Sequence, residues 1–178
     1  MRILGIDPGT ITMGYGVVEE EENELNLVDC GTLTTAPNTP LAQRLHTLYL
    51  GLLELIARYQ PSEVAIEEPF VAKNVRSALA VGQAIGMAMV AATEKGIPIH
   101  QYTPTHVKQA VSSYGHSGKE QVQEMVRIQL GLSSIPQPSD AADALAVALC
   151  HIQEMHLARI MRDEHDSRFT RNFRIPRL

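Results

Sequence analysis

The stretch that decides the fold is RILGID at residues 2–7, which is followed by Pro8 and Gly9. Its apolar residues are typical of a short buried strand, and the Pro-Gly pair marks a turn. The strand therefore ends on an acidic side chain, Asp7. In open α/β sheets, reactive groups and ligands gather at strand ends of this kind.

Two further strands are predicted directly after the first, at residues 14–19 and 25–34. The glutamate-rich stretch between them, residues 20–24, is typical of an exposed hairpin loop. From residue 41 to residue 59 the apolar positions follow a helical period, and Pro61 ends that helix. The first three strands are therefore predicted to form an antiparallel meander.

The second half of the chain alternates strands and helices. Strands are predicted at 63–67 and 97–102, and a helix over 77–95 lies between them and ends at Gly96. Three helices follow, with starts at Thr103-Pro104, at the capping box Ser117-x-x-Glu120 and at Ser139, the last helix covering 140–160. This order predicts an α/β fold, in which parallel strands extend the meander into a five-stranded mixed sheet flanked by helices.

Length and composition limit the functional classes. The chain has 178 residues, of which 44% are apolar, so it can form one domain with a real core. The two cysteines, Cys30 and Cys150, exclude a disulfide framework and predict reduced thiols and a cytoplasmic location. Without a signal sequence or a run of 18 apolar residues, no membrane span is expected. We expect a single domain over residues 1–160 and a flexible, Arg-rich tail over 161–178.

The net charge of −5 taken alone argues against an anionic partner. The charges are segregated, however. Residues 19–29 contain six acids and no base, whereas residues 69–139 contain six bases and three acids. Four arginines and no acid lie in the last eleven residues. A basic face is therefore compatible with the negative total.

Four carboxylates are candidates for one reactive site. Asp7 ends the first strand, Glu67 ends the fourth, and Asp140 and Asp143 share one face at the start of the last helix. If the first and fourth strands are neighbours, these groups converge. Unpaired carboxylates raise one another's pKa, and a divalent cation such as Mg²⁺ removes that cost. Taken alone, Asp140 is equally typical of an ordinary first-turn acid.

Five segments together resemble the RuvC-type Holliday-junction resolvases, in order over residues 1 to about 150. They are Gly5-Ile6-Asp7-Pro8-Gly9-Thr10 with Gly14-Tyr15-Gly16, Ala65-Ile66-Glu67 with Phe70 and Lys73-Asn74, Val107-Lys108-Gln109, Lys119-x-Gln121-Val122-Gln123, and Asp140-Ala-Ala-Asp143. The resemblance implies a ribonuclease-H-like fold and an endonuclease that resolves four-way DNA junctions in recombination and repair. It also implies two Mg²⁺ ions per site, replaceable by Mn²⁺. Their ligands would be Asp7, Glu67, Asp140 and Asp143.

The resemblance also assigns DNA contacts. Lys108 and Lys119 would touch phosphate near the scissile bond and stabilise developing charge. Each lysine taken alone is more typical of a solvated surface residue, although a cation at a helix N-terminus, as at Lys119, is unfavourable. The other expected DNA contacts are Phe70, which would stack on an unpaired base, and Lys73, Arg76 and His116.

Helix 77–95 is the expected partner surface. It carries Gly82-x-x-x-Gly86 and many alanines, a pattern that in a soluble protein is more typical of internal packing than of an interface. The resemblance implies a homodimer through this helix, which would present two matched sites to the two strands of a junction. It also implies a branch-migration motor complex as partner, and no membrane. Glu68 and Pro69 depart from the family pattern, so an outer-ligand role for Glu68 stays open.

Three other functions fit parts of the sequence. An ATP-binding phosphotransferase of the sugar-kinase and actin type also begins with a strand, Asp-x-Gly-Thr and a glycine hairpin, but it needs a second domain. A non-catalytic DNA-binding module has no need of four converging acids. A resolvase-like RNA-processing nuclease remains open, since the basic residues do not separate DNA from RNA. The favoured chemistry is metal-assisted hydrolysis that leaves 5′-phosphate and 3′-hydroxyl ends.

Overall fold

The computed structural model describes residues 1–68, 75–112 and 118–172, with side chains described up to residue 162. Its elements, in chain order, are β1 Arg2–Asp7, β2 Thr12–Glu21, β3 Glu24–Thr34, α1 Leu41–Tyr59, β4 Glu63–Glu67, α2 Val75–Glu94, β5 Ile99–Tyr102, α3 Pro104–Ser112, α4 Lys119–Gln129 and α5 Ser139–Asn172. The alternation of period-2 and period-3.6 segments in the sequence therefore gives the predicted element order.

The five strands form one mixed sheet in the order β3-β2-β1-β4-β5. β1, β2 and β3 are antiparallel, whereas β4 pairs parallel with both β1 and β5, as predicted. In the register of β1 and β4, Ile6 lies opposite Ile66. The next residues along the chain, Asp7 and Glu67, therefore end their strands at the same end of the sheet.

The core has two layers, one on each face of the sheet. On one face, β-strand residues pack with α1 and α2 around Leu48, Leu52 and Ile85. On the other face, they pack with α3, α4 and α5 around Val126, Leu145 and Leu149. Alternate residues of β1 pack into the two core layers, because successive side chains of a strand point to opposite faces.

Glycines decide how closely α5 approaches the sheet. A Cβ on Gly5 would lie 2.1 Å from the carbonyl oxygen of Ala144, and one on Gly14 would lie 2.0 Å from that of Asp140. Both distances are impossible for a carbon atom, so any larger residue would push the helix away. The glycines quoted in the sequence motifs thus hold the start of α5 against β1 and β2.

The acidic stretch after β2 differs from the expected loop. β2 extends to Glu21 and β3 begins at Glu24, so only Glu22 and Asn23 form the turn. Both have positive φ, 52° and 69°, the conformation that suits a two-residue hairpin. Tight pairing of the strands therefore takes up residues that composition alone assigned to a loop.

Other boundaries also differ from the sequence expectations. β5 begins at Ile99 rather than 97, and α2 begins at Val75 rather than 77. Thr103 caps α3 as predicted, since its Oγ1 accepts a hydrogen bond from the His106 N–H at 3.3 Å. The N-cap of α4 is Gly118 rather than Ser117, so the predicted capping box is wrong; Ser117 itself lies outside the described residues.

Helix α5 runs to Asn172, twelve residues beyond the predicted end at 160. The sequence after 160 lacks an apolar period, but arginine and glutamate are good helix formers, so the backbone can remain helical there. The flexibility of the tail and the limit of the domain at residue 160 stay predictions.

Helix α2 is long and apolar enough, by length and composition alone, to cross a membrane. Five of its residues are nevertheless buried inside the protein, namely Ala84, Ile85, Ala88, Ala91 and Ala92. Core helices of soluble proteins satisfy the same criterion, so this helix is weak support for a membrane span.

Candidate active site

The structure brings the four candidate carboxylates to one end of the sheet. Asp7 and Glu67 end the adjacent parallel strands β1 and β4. Asp140 and Asp143 lie in the first turns of α5, whose start is held against β2 at Gly14. All four side chains are partly buried. Elements far apart in sequence thus bring four like charges together.

The charge states of Asp7 and Glu67 reflect this crowding. Burial, followed by the charges of Asp143 and Asp140, raises the pKa of Asp7 to about 6. Burial, followed by the charges of Asp7 and Asp143, raises the pKa of Glu67 to about 7. Near neutral pH the pair therefore retains a proton until a cation offsets the repulsion.

Asp143 is held by two side chains of α4. The Lys119 ammonium lies 2.5 Å from its Oδ2, and the Gln123 amide donates a hydrogen bond to its Oδ1 at 3.0 Å. The Lys119 side chain remains 57% exposed, whereas Gln123 is buried. The sequence reasoning gave Gln123 no role; its signal was a polar residue between Val122 and Val126 on the buried face of the helix.

Both predicted lysines face the acids. Glu67 and Asp143 line a cavity of about 190 Å³ together with Lys108 and Lys119. The positive charge of Lys108 acts on Glu67 and partly opposes the rise of its pKa. A polyanion entering this cavity would therefore meet cationic side chains beside the carboxylates.

The loop after β1 is fixed by residues that sequence reasoning missed. Arg44 of α1 donates hydrogen bonds to the Thr10 hydroxyl at 3.0 Å and to the Thr10 carbonyl at 3.3 Å. The Thr35 hydroxyl donates to the same carbonyl at 2.7 Å. A Cβ on Gly9 would lie 1.9 Å from the Thr12 carbonyl oxygen. These contacts hold the turn that follows Asp7.

The remaining DNA contacts predicted from the sequence have different outcomes. Arg76 lies exposed in the first turn of α2. Phe70, Lys73 and His116 lie outside the described residues, so their roles stay predictions. The backbone N–H of Glu68 donates to the carbonyl of Tyr102 at 2.8 Å, which continues the pairing of β4 and β5 one residue further.

The donor set fits a hard divalent cation. It consists of carboxylate oxygens, and the pKa values of Asp7 and Glu67 are raised by burial and then by the charges of the neighbouring acids. Mg²⁺ prefers oxygen ligands of this type. The crowding of the acids is thus the feature that a bound cation would relieve.

Comparison with known proteins agrees with this geometry. Residues 3–151 match the family model described as crossover junction endodeoxyribonuclease RuvC. The chain is 57% identical over 151 residues to the protein of that name from Chloroflexus aggregans, which covers 85% of this chain and 92% of the relative. It is 50% identical over 161 residues to the one from Dehalococcoides mccartyi, covering 90% of this chain and 96% of the relative.

Solved structures show the same similarity. Thermus thermophilus RuvC superposes with a TM-score of 0.83 at 40% identity, over 89% of this chain and 97% of that one. T. thermophilus RuvC in complex with a Holliday junction substrate gives a TM-score of 0.80 at 39% identity, over 88% and 96% of the two chains. The ribonuclease-H-like resolvase fold is therefore confirmed, and the kinase alternative has no support. On the family match and these identities, the chain belongs to the RuvC family of crossover junction endodeoxyribonucleases.

Proposed function

We propose that this protein resolves four-way DNA junctions by symmetric, Mg²⁺-dependent hydrolysis of phosphodiester bonds. The observation that carries the proposal is the convergence of four carboxylates at the end of β1 and β4. Family membership and the 39% identical relative that was solved with a Holliday junction substrate support the same substrate.

Each residue of the site has a proposed task. Asp7, Glu67, Asp140 and Asp143 would hold two Mg²⁺ ions, or Mn²⁺ in their place. When bound, such a pair activates water and stabilises the charge of the attacking and leaving oxygens. Gln123 orients Asp143 through its hydrogen bond.

The lysines act on the phosphate. The Lys119 Nζ lies 2.5 Å from the Asp143 Oδ2, so a metal ion bound to that oxygen would compete with the lysine for the carboxylate. With a cation held by Asp143, the exposed Lys119 ammonium would be available to bind the scissile phosphate. Lys108 lines the same cavity from α3. Together they would stabilise the charge that develops on the phosphate.

A homodimer through α2 completes the proposal. Val75, Leu79 and Val90 on this helix are 78%, 65% and 51% exposed, and a Cβ on Gly82 or Gly86 would meet no atom within 4 Å. This apolar and small-residue face is suited to a second copy, and two-fold symmetry would place one site on each of two equivalent strands. The motor-complex partner remains a prediction from the resemblance, and the cytoplasmic location remains a prediction from the two cysteines.

The decisive experiment compares a labelled synthetic four-way junction with a matched duplex and an RNA–DNA hybrid, with and without Mg²⁺. We expect paired, symmetric nicks in the junction alone, only with the metal, and products that a DNA ligase seals. Equal cutting of duplex would contradict junction selectivity. Preferred cutting of the hybrid would favour the RNA-processing alternative.

The dimer is tested with Leu79→Asp, which places a charge on the exposed face of α2. We expect the variant to sediment as a monomer and to give unpaired nicks. Leu157→Asp on α5, where the leucine is 49% exposed, is the matched control and should remain dimeric. A monomeric wild-type protein would refute the proposed interface.

A further inference from the structure

A second cluster of metal-ligand side chains lies at the opposite end of the sheet. Glu63 begins β4, four residues before Glu67, which is about 13 Å along a strand. His100 lies on β5 opposite Ala65, so it shares a face of the sheet with Glu63. His151 reaches the same face from α5. The cluster is therefore separate from the four carboxylates.

The three side chains direct their donor atoms at one another. The Nε2 atoms of His100 and His151 lie 2.6 and 3.1 Å from the same oxygen of Glu63, Oε2. One donor atom from each residue lies within 4.8 Å of the other two. A tetrahedral Zn²⁺ ion with bonds of about 2.0–2.2 Å needs ligand atoms roughly 3.3 Å apart. Small side-chain shifts would therefore satisfy the coordination geometry.

His100 supplies an independent indication of a missing ligand. Its Nε2 is buried, yet it makes no properly aligned hydrogen bond, although Glu63 is within ion-pair distance. Buried polar atoms in folded proteins are nearly always hydrogen-bonded, so an orphaned imidazole nitrogen needs an explanation. A metal ion between His100 and Glu63 would provide that partner.

His151 is prepared to act as a ligand. It is 1% exposed, and its Nε2 lies 3.1 Å from the Glu63 Oε2. Its Nδ1 lies 2.6 Å from the Tyr102 hydroxyl. If Nδ1 carries the proton and donates it to Tyr102, the lone pair of Nε2 points at Glu63. Partners of this kind orient metal-binding histidines in known sites.

The cluster is open to solvent on one side. Glu63 and His100 line a cavity of about 650 Å³. Glu20 and His156 also line it, and the His156 Nε2 lies 2.5 Å from the Glu20 Oε1. An ion can therefore enter, and a water molecule can serve as a fourth ligand. Two imidazoles and one carboxylate suit Zn²⁺, whereas Mg²⁺ prefers a set made only of oxygen atoms.

We propose that Glu63, His100 and His151 form a Zn²⁺ site that ties the starts of β4 and β5 to helix α5. The alternative is that the three groups are only a hydrogen-bonded clamp. The two differ in whether the folded protein binds one Zn²⁺ per chain at this position.

The test is equilibrium dialysis of the full chain against Zn²⁺ in a large excess of Mg²⁺, in the Asp7→Asn background. The excess and the substitution weaken Zn²⁺ binding by the carboxylate site. We expect one retained Zn²⁺ per chain. Replacement by Co²⁺ should give the intense visible absorption of tetrahedral coordination with nitrogen ligands.

Variants locate the ion. His100→Gln and Glu63→Gln should abolish retention, and Tyr102→Phe should weaken binding by roughly 10–100-fold, the usual effect of losing a partner that orients a ligand. His106→Gln is the matched control: His106 lies 2.7 Å from Glu154 in a similar exposed pair, outside the cluster. It should retain the ion.

Two results would overturn the proposal. Asp7→Asn protein that is folded by circular dichroism but retains no Zn²⁺ would show that the three side chains form hydrogen bonds alone. Equal retention by the Asp7→Asn protein and by the folded Asp7→Asn, His100→Gln double variant would place the ion elsewhere. Because the His100 side chain is 41% exposed, its substitution is compatible with folding, which keeps the second result interpretable.

Discussion

Strand β4 carries a glutamate at each end of the same face, and the two side chains have opposite surroundings. Glu67 lies among other carboxylates, and its pKa is raised to about 7. Glu63 lies between two imidazoles, with both Nε2 atoms within 3.1 Å of one oxygen. Only three residues separate them in the sequence.

The difference shows that neighbours, rather than residue type, decide what a carboxylate can do. At the Glu63 end, the protein supplies nitrogen atoms that stabilise the negative charge. At the Glu67 end, Lys119 forms an ion pair with Asp143, and its side chain is more than half exposed. The carboxylate end therefore has unbalanced negative charge available for an external cation.

The largest effect on the difference between the two ends of β4 is expected from Asp7→Asn. Loss of one ligand should lower cleavage of the junction by roughly 10²–10³-fold or more, the range for losing a group that stabilises transition-state charge. Junction binding should survive, because the basic residues are unchanged. Gel-based cleavage and a binding assay in Ca²⁺ measure the two effects. Glu24→Gln, which alters an exposed acid on β3, is the control and should cut normally.

The pH dependence of stability should distinguish the two ends without any DNA. Asp7 and Glu67 have raised pKa values in the folded state, so the folded chain keeps protons that the unfolded chain releases. Without metal, the free energy of unfolding should therefore fall as pH rises from about 4 to 7, by on the order of 3 kcal/mol from this pair. Urea titrations at several pH values measure this change.

Two comparisons isolate the pair in that experiment. His151 has a lowered pKa, so its contribution to the free energy of unfolding has the opposite sign. This contribution increases stability as pH rises through the same range. The difference between wild type and Glu67→Gln removes that shared contribution. Saturating Mg²⁺ should also flatten the wild-type curve. An identical pH slope in the variant would contradict the assigned crowding.

Lys119→Met tests the lysine that forms an ion pair with Asp143 at the carboxylate end. We expect cleavage to fall by roughly 10–100-fold, equivalent to losing one hydrogen bond to a charged group. Lys95→Met is the matched control, since Lys95 forms a surface pair with Glu94 at 3.6 Å on α2. Single-turnover kinetics separate the chemical step from binding. Equal rates for both variants would leave Lys119 as an ordinary surface lysine.

The smallest expected effect is on the free energy of unfolding, and it has opposite signs for substitutions at the two ends of β4. In metal-free protein at pH 8, Glu67→Gln removes repulsion and should increase stability, whereas Glu63→Gln replaces the charged acceptor of the His151 Nε2 hydrogen bond by a neutral one and should decrease it. Each change should be about 1–2 kcal/mol. Thermal melts of the two variants against wild type give the sign directly. Changes of the same sign would show that the ends are equivalent.

Much of this arrangement was accessible from the sequence. RILGID followed by Pro-Gly predicted β1 and its terminal Asp7, and period changes predicted the element order. The family resemblance is confirmed by the match over residues 3–151. Boundaries were less accurate: the turn at Glu22 and Asn23 and the start of α4 at Lys119 depend on backbone conformation and hydrogen bonding, which composition does not encode.

Contacts between distant segments were not accessible. Arg44 reaches Thr10 from α1, and Gln123 reaches Asp143 from α4. Gln123 differs from its neighbours only as a polar residue on a buried helix face, and Arg44 does not stand out from its neighbours in the chain. Their roles arise from the packing of helices against the sheet, where side chains separated by 20 or more residues meet.

The sequence by itself determined which strands and helices form and which acids end the strands, because hydrophobic period and turn residues act locally. Only the tertiary structure decided that Glu67 faces acids while Glu63 faces histidines. Strand order and register bring His100 to Glu63, and glycines at Gly5 and Gly14 let α5 approach closely enough to bring His151 to one end and Asp143 to the other. Charge balance is a property of such spatial neighbours, and it is therefore set when the sheet and α5 pack.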